Sequence, residues 1–293
     1  MTGSVVLQKI KSNREERVFA RRKAEGLLLR CAVTAAVAIT LACFVGVVGY
    51  TVIRGLPNIN ADMFRWEYNS ENMSVLPSII STLLIVAVGL LAAVPVGIFG
   101  AIYLVEYAPR GNRMTSLLRL TTETLSGIPS IVYGLFGMLF FVFALGWDYS
   151  ILSGALTAGI MVLPTVIRST EEALKAVPDT YREASFGLGA GKVRTIFKVI
   201  LPAAIPGILS GVILSIGRIV GETAALRYTA GTVAQLPNSL MDSGSSLAVL
   251  FHKLAGEGLH LENAYATAVI LLLVVLAINS LASFAAAKLR KDM

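Results

Sequence analysis

The chain has 293 residues, of which 55% are hydrophobic and only 15% charged, and its formal net charge is +7. A soluble domain of this length would carry roughly a quarter of charged residues, so the composition excludes a soluble domain and indicates a polytopic membrane protein. The only cysteines, Cys31 and Cys43, fall in one apolar stretch. They are interpreted as small apolar side chains and predict neither a disulfide nor a metal site.

Six stretches are long and apolar enough to cross a bilayer, since a spanning helix needs about 20 mostly apolar residues. The sequence therefore predicts an all-α integral membrane protein with six transmembrane helices. The predicted spans cover residues 27–53, 76–105, 125–146, 150–167, 203–224 and 264–287.

Small residues recur at helical spacing in the second and fifth of these spans. Helices in lipid pack where small side chains let their backbones approach each other. We therefore expect a bundle centred on spans two and five. The residues concerned are Gly89, Ala93, Gly97 and Ala101 in the second span, and Gly207, Gly211, Gly217 and Gly221 in the fifth.

Lysine and arginine are distributed unevenly between the two sides of the membrane. With the N-terminus in the cytosol, 20 of the 25 cations lie in inner segments. This positive-inside asymmetry predicts that both termini are cytosolic. The basic cytosolic tail, residues 1–26, is interpreted as a topology signal and a contact with membrane lipid, and not as an arm for nucleic acid. The rest divides into the first helix with its outer loop (27–75), a five-helix core (76–287) and a second cytosolic tail (288–293).

A polar, glycine-rich stretch lies between the fourth and fifth spans, at residues 181–202. Its spacing, Glu183-Ala184-Ser185 followed by Gly189 and then by Val199-x-Leu201-Pro202, resembles the EAA loop of ABC-transporter permeases, with Ser185 and Val199 in place of the usual Ala and Ile. The resemblance implies an ABC importer permease core of the MetI-like type. It also implies that Glu183, Ala184, Ser185, Gly189, Leu201 and Pro202 couple the chain to an ATPase subunit.

The stretch also carries several apolar and aromatic side chains. Exposed apolar surface marks interfaces, so these side chains favour docking to a partner over a purely solvated loop.

Arg218 and Glu222 lie within the predicted fifth span at i and i+4, hence one turn apart on one helix face. A charge inside the bilayer costs about 2.5–3.5 kcal/mol on insertion scales, so it normally faces a cavity or a partner. A guanidinium fork also matches the oxygens of a phosphate-like anion. The pair is therefore predicted to line a substrate pathway. A self-satisfied ion pair, or an Arg218 that snorkels to the outer headgroups, is the structural alternative.

Three further sequence motifs narrow the type of permease that the chain resembles. Gly217–Ala224 (GRIVGETA), Gly127–Gly134 (GIPSIVYG) and Leu163–Ala173 (LPTVIRSTEEA) resemble, in order and in wording, the A-type (PstA type) permease subunits of phosphate-specific ABC transporters. The resemblance covers about residues 75–287. Arg227 departs from it, because an apolar residue is expected there, and this leaves open which arginine meets the substrate first. The substrate-pathway candidates are Arg218, Glu222, Thr223 and Arg168, and for Arg168 anchoring at the inner membrane surface is the simpler interpretation.

The same resemblance implies the partners and the location. The partners are a second homologous permease subunit in a heterodimer, two ATPase subunits and an external phosphate-binding protein. The location is the plasma (inner) membrane of a bacterium or archaeon.

The chain itself is not expected to be an enzyme or to bind a cofactor. The segment Gly187–Val193 (GLGAGKV) lacks two positions of a phosphate-binding P-loop, because Phe186 stands where Gly is needed and Val193 where Ser or Thr is needed. ATP and magnesium are therefore assigned to the partner ATPase.

Several alternatives stay open at this point. Within the class they are a permease for another oxyanion, such as sulfate or molybdate, and the sister phosphate permease subunit. From other classes they are an ion-coupled secondary transporter that acts alone, and a membrane scaffold without transport.

Overall fold

The computed structural model describes residues 2–69, 72–109, 113–258 and 260–291, and it describes side chains from residue 26 onward except at 114 and 289–291. In these ranges the chain forms helices and connecting turns, without a β-strand. The cations of the predicted tail at 1–26, together with Arg110, Arg290 and Lys291, lie outside the residues whose side chains are described. Residues 1–53 form one compact unit and residues 54–293 another.

Eleven α-helices are assigned in the described ranges, and three of them continue into a π-helical turn. They are α1 Thr2–Gly55, α2 Leu76–Ile102 (π turn Tyr103–Tyr107), α3 Arg113–Ser126, α4 Ser130–Gly137 (π turn Met138–Ala144), α5 Ile151–Ala176, α6 Asp179–Gly187, α7 Lys192–Thr195 (π turn Ile196–Ile200), α8 Leu201–Val220, α9 Ala224–Thr229, α10 Leu247–Glu257 and α11 Leu261–Lys291.

The predicted all-helical membrane fold is confirmed, but the third predicted span has a different form. Five helices of the described chain are long and apolar enough to cross a membrane, and the sixth candidate is the α3–α4 pair, bent by 101°. The predicted third span over 125–146 is therefore not one continuous helix. The bend falls at Gly127–Pro129, where Pro129 has an extended ψ of 140° and the Tyr133 hydroxyl donates to the Leu125 carbonyl across it at 2.7 Å.

The fourth and fifth spans also differ from their predicted bounds. Helix α5 runs on to Ala176, well past the predicted end at 167, because its charged residues pair along its own surface and with α3. The fifth span is helical from Lys192 to Val220, with Gly221 as its C-cap, and so it begins earlier and ends earlier than the predicted 203–224.

Helix α5 is the centre of the bundle, and the expectation of a bundle centred on spans two and five is wrong in this respect. In the most apolar 18-residue stretch of α5, 61% of the residues are buried. The corresponding share is 33% for the span that contains α2 and 28% for the span that contains α8. Helix α5 packs between those two helices. Gly89 and Gly97 of α2 lie against residues 155–159 and 166 of α5, so the two helices run parallel. Gly207 and Gly211 of α8 meet Ala173 and Ser169, so α8 runs antiparallel to α5.

The end of this bundle that carries α6 is called the α6 end, and the opposite end, which carries α10, the α10 end. At the α10 end, Met63, Val75 and Leu250 form a second apolar core between the loop that follows residue 55 and α10. Helix α10 follows the Ser/Gly-rich segment 242–246. Lys253 lies 5.9 Å from the ring centre of Tyr68, and burial, with a smaller contribution from Glu257, raises the pKa of Tyr68, which stays protonated at neutral pH.

We predict that Gly159→Ala lowers stability measurably. A Cβ at residue 159 would lie 2.9 Å from the Gly89 carbonyl oxygen, so α2 and α5 would have to separate. Overpacking of this kind costs about 1–3 kcal/mol. The thermal midpoint of the purified protein in detergent should fall, whereas Gly256→Ala, where nothing lies within 4 Å, should leave it unchanged or raise it slightly. Equal midpoints for the two variants would contradict this packing.

Candidate functional site

Arg218 lies on the last turn of α8, half-buried in the apolar part of the bundle. Its Nη1 points to the Thr165 hydroxyl of α5 at 3.5 Å, which is at the long limit of a hydrogen bond. Within the described ranges, Arg218 makes no ion pair with a carboxylate. The guanidinium therefore keeps most of its donors available for a ligand.

Glu222 does not share a helix face with Arg218, and this part of the sequence analysis is wrong. Helix α8 ends at Val220, and Glu222 lies in the turn before α9, 8% exposed. Its Oε1 accepts a hydrogen bond from the Ala225 backbone N–H at 3.0 Å, which caps the first turn of α9. Thr223 makes a long contact of 3.5 Å to the Gly221 carbonyl. Glu222 and Thr223 thus shape the turn beside Arg218.

Arg168 lines an open cleft between α3 and α5, with a volume of about 490 Å³, which we call the α3–α5 cleft. Its Nε donates to Glu172 at 3.1 Å, and both side chains are about 70% exposed. Such an exposed pair contributes little to stability. Thr165, which contacts Arg218, also lines the cleft. The cleft therefore leads from Arg168 towards the tip of Arg218. Its other charged or hydroxyl-bearing lining residues are Arg119, Thr122, Glu123, Ser126, Ser169, Glu171, Glu172 and Lys175.

The wall of this cleft contains a group of three charges that the sequence analysis missed. Glu171 is only 12% exposed, and its Oε1 lies 2.9 Å from Arg119 of α3 and 2.6 Å from Lys175. The i, i+4 spacing of Glu171 and Lys175 could have indicated their pairing. Arg119 joins them only through the packing of α3 on α5. We call these residues the Glu171 triad.

The EAA-like stretch folds into two short helices with a sharp turn between them. Gly189 has φ +80°, and the hydrogen bonds from Gly189 N–H to the Phe186 carbonyl and from Ala190 N–H to the Ser185 carbonyl form a Schellman motif. The buried Ser185 and Thr195 hydroxyls, 2.8 Å apart, join α6 to α7. Ser185 and Gly189 therefore build the turn.

The remaining predicted coupling residues take different positions. Glu183 and Ala184 are exposed on α6. Leu201 and Pro202 are half-buried and begin α8, within the fifth span and not in a loop.

The outer surface of this turn is apolar. Tyr181 is 51% exposed, Phe186 47% and Leu188 89%. An adjoining hollow of about 620 Å³ is lined by Tyr181, Ala184, Leu188 and Val199, among others. This surface, which we call the α6 apolar surface, lies among exposed lysines and arginines of α7 and its π turn.

Arg182 fixes α6 to the rest of the bundle, which the sequence did not reveal. Its guanidinium contacts Glu106 Oε1 through Nη2 at 2.7 Å and Nε at 3.1 Å, with side-chain exposures of only 15% and 10%. It also donates to the carbonyls of Leu174 and Val177 at the end of α5, and to Asp179. No group of three or more His, Cys, Asp or Glu in the described ranges could hold a metal ion.

Comparisons with known proteins show which proteins this chain is similar to. Residues 93–293 match the family model described as binding-protein-dependent transport system inner membrane component. A probable ABC transporter permease protein, YqgI of Bacillus subtilis, is 36% identical over 73% of this chain and 72% of its own length. The phosphate transport system permease protein PstA of Xylella fastidiosa is 32% identical over 76% of this chain and 81% of its own. PstA 1 of Mycobacterium tuberculosis (strain H37Rv) is 43% identical, but over only 51% of this chain and 48% of its own.

Solved transporters share the fold. A bacterial ABC transporter involved in the import of alginate matches 93% of this chain and 99% of the matched chain with a TM-score of 0.63 and 16% identity. An inward-facing MetNI methionine ABC transporter matches 74% of this chain and 93% of its own chain, with a TM-score of 0.54 and 19% identity.

We predict that Arg182→Lys loosens α6. A lysine keeps the charge but loses the planar fork, and so leaves Glu106 and the two α5 carbonyls poorly satisfied in a buried place. Breaking a buried pair costs about 3–5 kcal/mol, and part of that loss should appear as faster amide hydrogen exchange across residues 179–187. Arg65→Lys, in a pair with Asp62 that is 66% and 57% exposed, should change exchange nowhere. Protection of α6 equal to that of the unmodified chain would contradict the anchoring role.

Proposed function

Since this chain belongs to the family of binding-protein-dependent transport system inner membrane components, we propose that it is the A-type permease subunit of an ATP-driven importer of inorganic phosphate. It forms half of the translocation pathway, and a second homologous permease subunit forms the other half in a heterodimer. The importer resides in the plasma membrane of a bacterium or archaeon. The relatives whose names specify phosphate transport, at 32% and 43% identity, support the choice of substrate.

The observation that carries the coupling part of the proposal is the α6 apolar surface. A side chain such as Leu188, 89% exposed, is unfavourable in water unless a partner covers it. The surface lies at the predicted cytosolic end and on a helix that Arg182 anchors to α5. One of two ATPase subunits docks there, holds ATP and magnesium, and moves α6 on hydrolysis. The second ATPase subunit docks on the partner permease.

Arg218 is the proposed contact for phosphate in the pathway. It is a charge in the apolar part of the bundle with no carboxylate partner in the described ranges, and placing it there costs several kcal/mol that a bound anion can offset. Its planar fork can donate two parallel hydrogen bonds to a phosphate. The α3–α5 cleft gives this anion a route towards the α6 end. At the other end, the predicted outer loops hold seven carboxylates against four cations. This negative charge favours delivery by an external phosphate-binding protein over capture from solution.

The substrate and the subunit type are the finer points that need a test. The Bacillus subtilis relative's name specifies no substrate, and a permease for sulfate or molybdate would share the fold. Uptake of labelled phosphate into cells, in competition with unlabelled phosphate, sulfate and molybdate, decides between them. Competition by phosphate alone supports the proposal, and equal competition by another anion overturns it. Transport by this chain alone in liposomes without ATP would indicate a secondary transporter instead.

We predict that Arg218→Ala reduces phosphate uptake at least about 100-fold, because loss of charge-assisted contacts of about 1.5–3 kcal/mol each removes the anion from the pathway. The assembled complex should still purify intact, because in the described ranges Arg218 pairs with no carboxylate and makes only a long hydrogen bond to Thr165. Arg65→Ala, at an exposed outer pair, is the matched control and should transport normally. Full uptake by Arg218→Ala would remove the arginine from the pathway.

We predict that Leu188→Asp strongly weakens co-purification of the ATPase subunit. It places a charge in the apolar contact without disturbing the fold, since Leu188 is 89% exposed. Glu183→Arg, a charge reversal on the same helix, should act in the same direction. Met241→Asp, an exposed apolar residue at the α10 end, should leave the ATPase bound. If the ATPase stays bound to the Leu188 and Glu183 variants, α6 is not the docking element.

A further inference from the structure

The Glu171 triad lies where an anion leaving Arg218 would pass. Thr165 contacts Arg218 and lines the α3–α5 cleft, and Arg119 and Lys175 line the same cleft on the side of the α6 end. The two cations also line a second cleft of about 600 Å³, which reaches Arg182 and the end of α2. The triad thus forms the wall between a space that leads to Arg218 and a space beside α6.

Charge and hydroxyl groups in the α3–α5 cleft match an oxyanion. The Thr165 hydroxyl and the side chains of Arg119 and Lys175, which are 46% and 51% exposed, can donate to an anion there. The hydroxyls of Thr122 and Ser126 also line the cleft, but they donate to backbone carbonyls of α3. Glu171 is much less exposed, at 12%, and it places a single oxygen between the two cations. An internal carboxylate therefore occupies the position that a bound anion would take.

We propose that the α3–α5 cleft holds a second oxyanion position at Arg119 and Lys175, and that Glu171 competes for these cations and so keeps that position weak. This inference rests on the proposed function, because it takes the transported oxyanion as the ligand. A weak position on the inner half of the pathway favours release. After leaving Arg218 the anion binds Arg119 and Lys175, and it dissociates when the Glu171 carboxylate pairs with these cations again.

Glu171 is accordingly a positioning residue for Arg119 and Lys175, and it does not itself bind the substrate. A purely structural role, in which Glu171 only joins α3 to α5, makes a different prediction. Removing a structural tie can weaken anion binding or leave it unchanged, whereas removing a competitor tightens it.

The test uses the assembled transporter in lipid nanodiscs, without nucleotide and without the external binding protein. The probe is ³³P-labelled inorganic phosphate at equilibrium, and the ATPase subunits contribute the same background to every variant. Glu171→Gln should bind phosphate about tenfold more tightly, the factor that one charge-assisted hydrogen bond is worth. Arg119→Gln should weaken binding about tenfold, and Glu171→Asp, which keeps the charge, should stay near the unmodified protein. Asp62→Asn, in an exposed pair at the α10 end, should not change binding.

The test is decisive because Glu171→Gln is expected to raise the affinity for phosphate and Arg119→Gln to lower it, and misfolding cannot raise the affinity. Unchanged or weaker binding by Glu171→Gln, in a complex that still takes up phosphate, overturns this inference alone. If the unmodified complex transports sulfate and not phosphate, the proposed function fails instead. In that case labelled sulfate in the same variants still tests the competing role of Glu171.

Discussion

The contact between Arg182 and Glu106 is the constraint on which the geometry of the α6 end depends. The carbonyls at the C-terminus of a helix lack partners within the helix, and a cation placed there satisfies them and complements the helix dipole. Arg182 does this for α5 through the Leu174 and Val177 carbonyls, while the same guanidinium holds Glu106 at the end of α2. One side chain therefore sets the position of α6 against two spanning helices. A buried ion pair contributes less to net stability than its contacts suggest, because desolvation opposes it, so its main contribution is orientation.

Helix α5 connects this anchored end to the interior of the bundle. It is the most buried span, it packs against α2, α3 and α8, and its last carbonyls are held by Arg182. Along its length it presents Thr165 to Arg218 and Glu171 to Arg119. The close contact of Gly89 with Gly159 fixes α5 against α2 in the middle of the bundle. The same helix thus carries the surface that meets α6 and the side chains that line the α3–α5 cleft.

The charges of the chain are arranged in two different ways. At the α6 end, cations and carboxylates neutralise each other in short networks, as Arg168 does with Glu172 and Lys175 with Glu171. Deeper in the bundle, the hydrogen-bond partner of Arg218 among the described residues is the Thr165 hydroxyl, while Glu222, its expected partner, caps α9 instead. The separation leaves a strong anion-binding group in the apolar region and a nearly neutral cleft below it. Such a gradient suits a site that must hold an anion briefly and then let it go.

The sequence by itself determined the membrane class, most of the apolar spans and the EAA-like turn, and it placed Arg218 in the fifth span, because hydropathy, helical spacing and glycine placement are local properties of the chain. It also indicated the family through contiguous words such as Gly217–Ala224. Only the tertiary structure decided that α3 and α4 are bent by 101°, that α8 ends before Glu222 and that α5 is the central helix. It also brought Arg182 to Glu106, 76 residues away in the chain, and Arg119 to Glu171. Which charges meet depends on how helices pack across the bundle, and no periodicity within one helix carries that information.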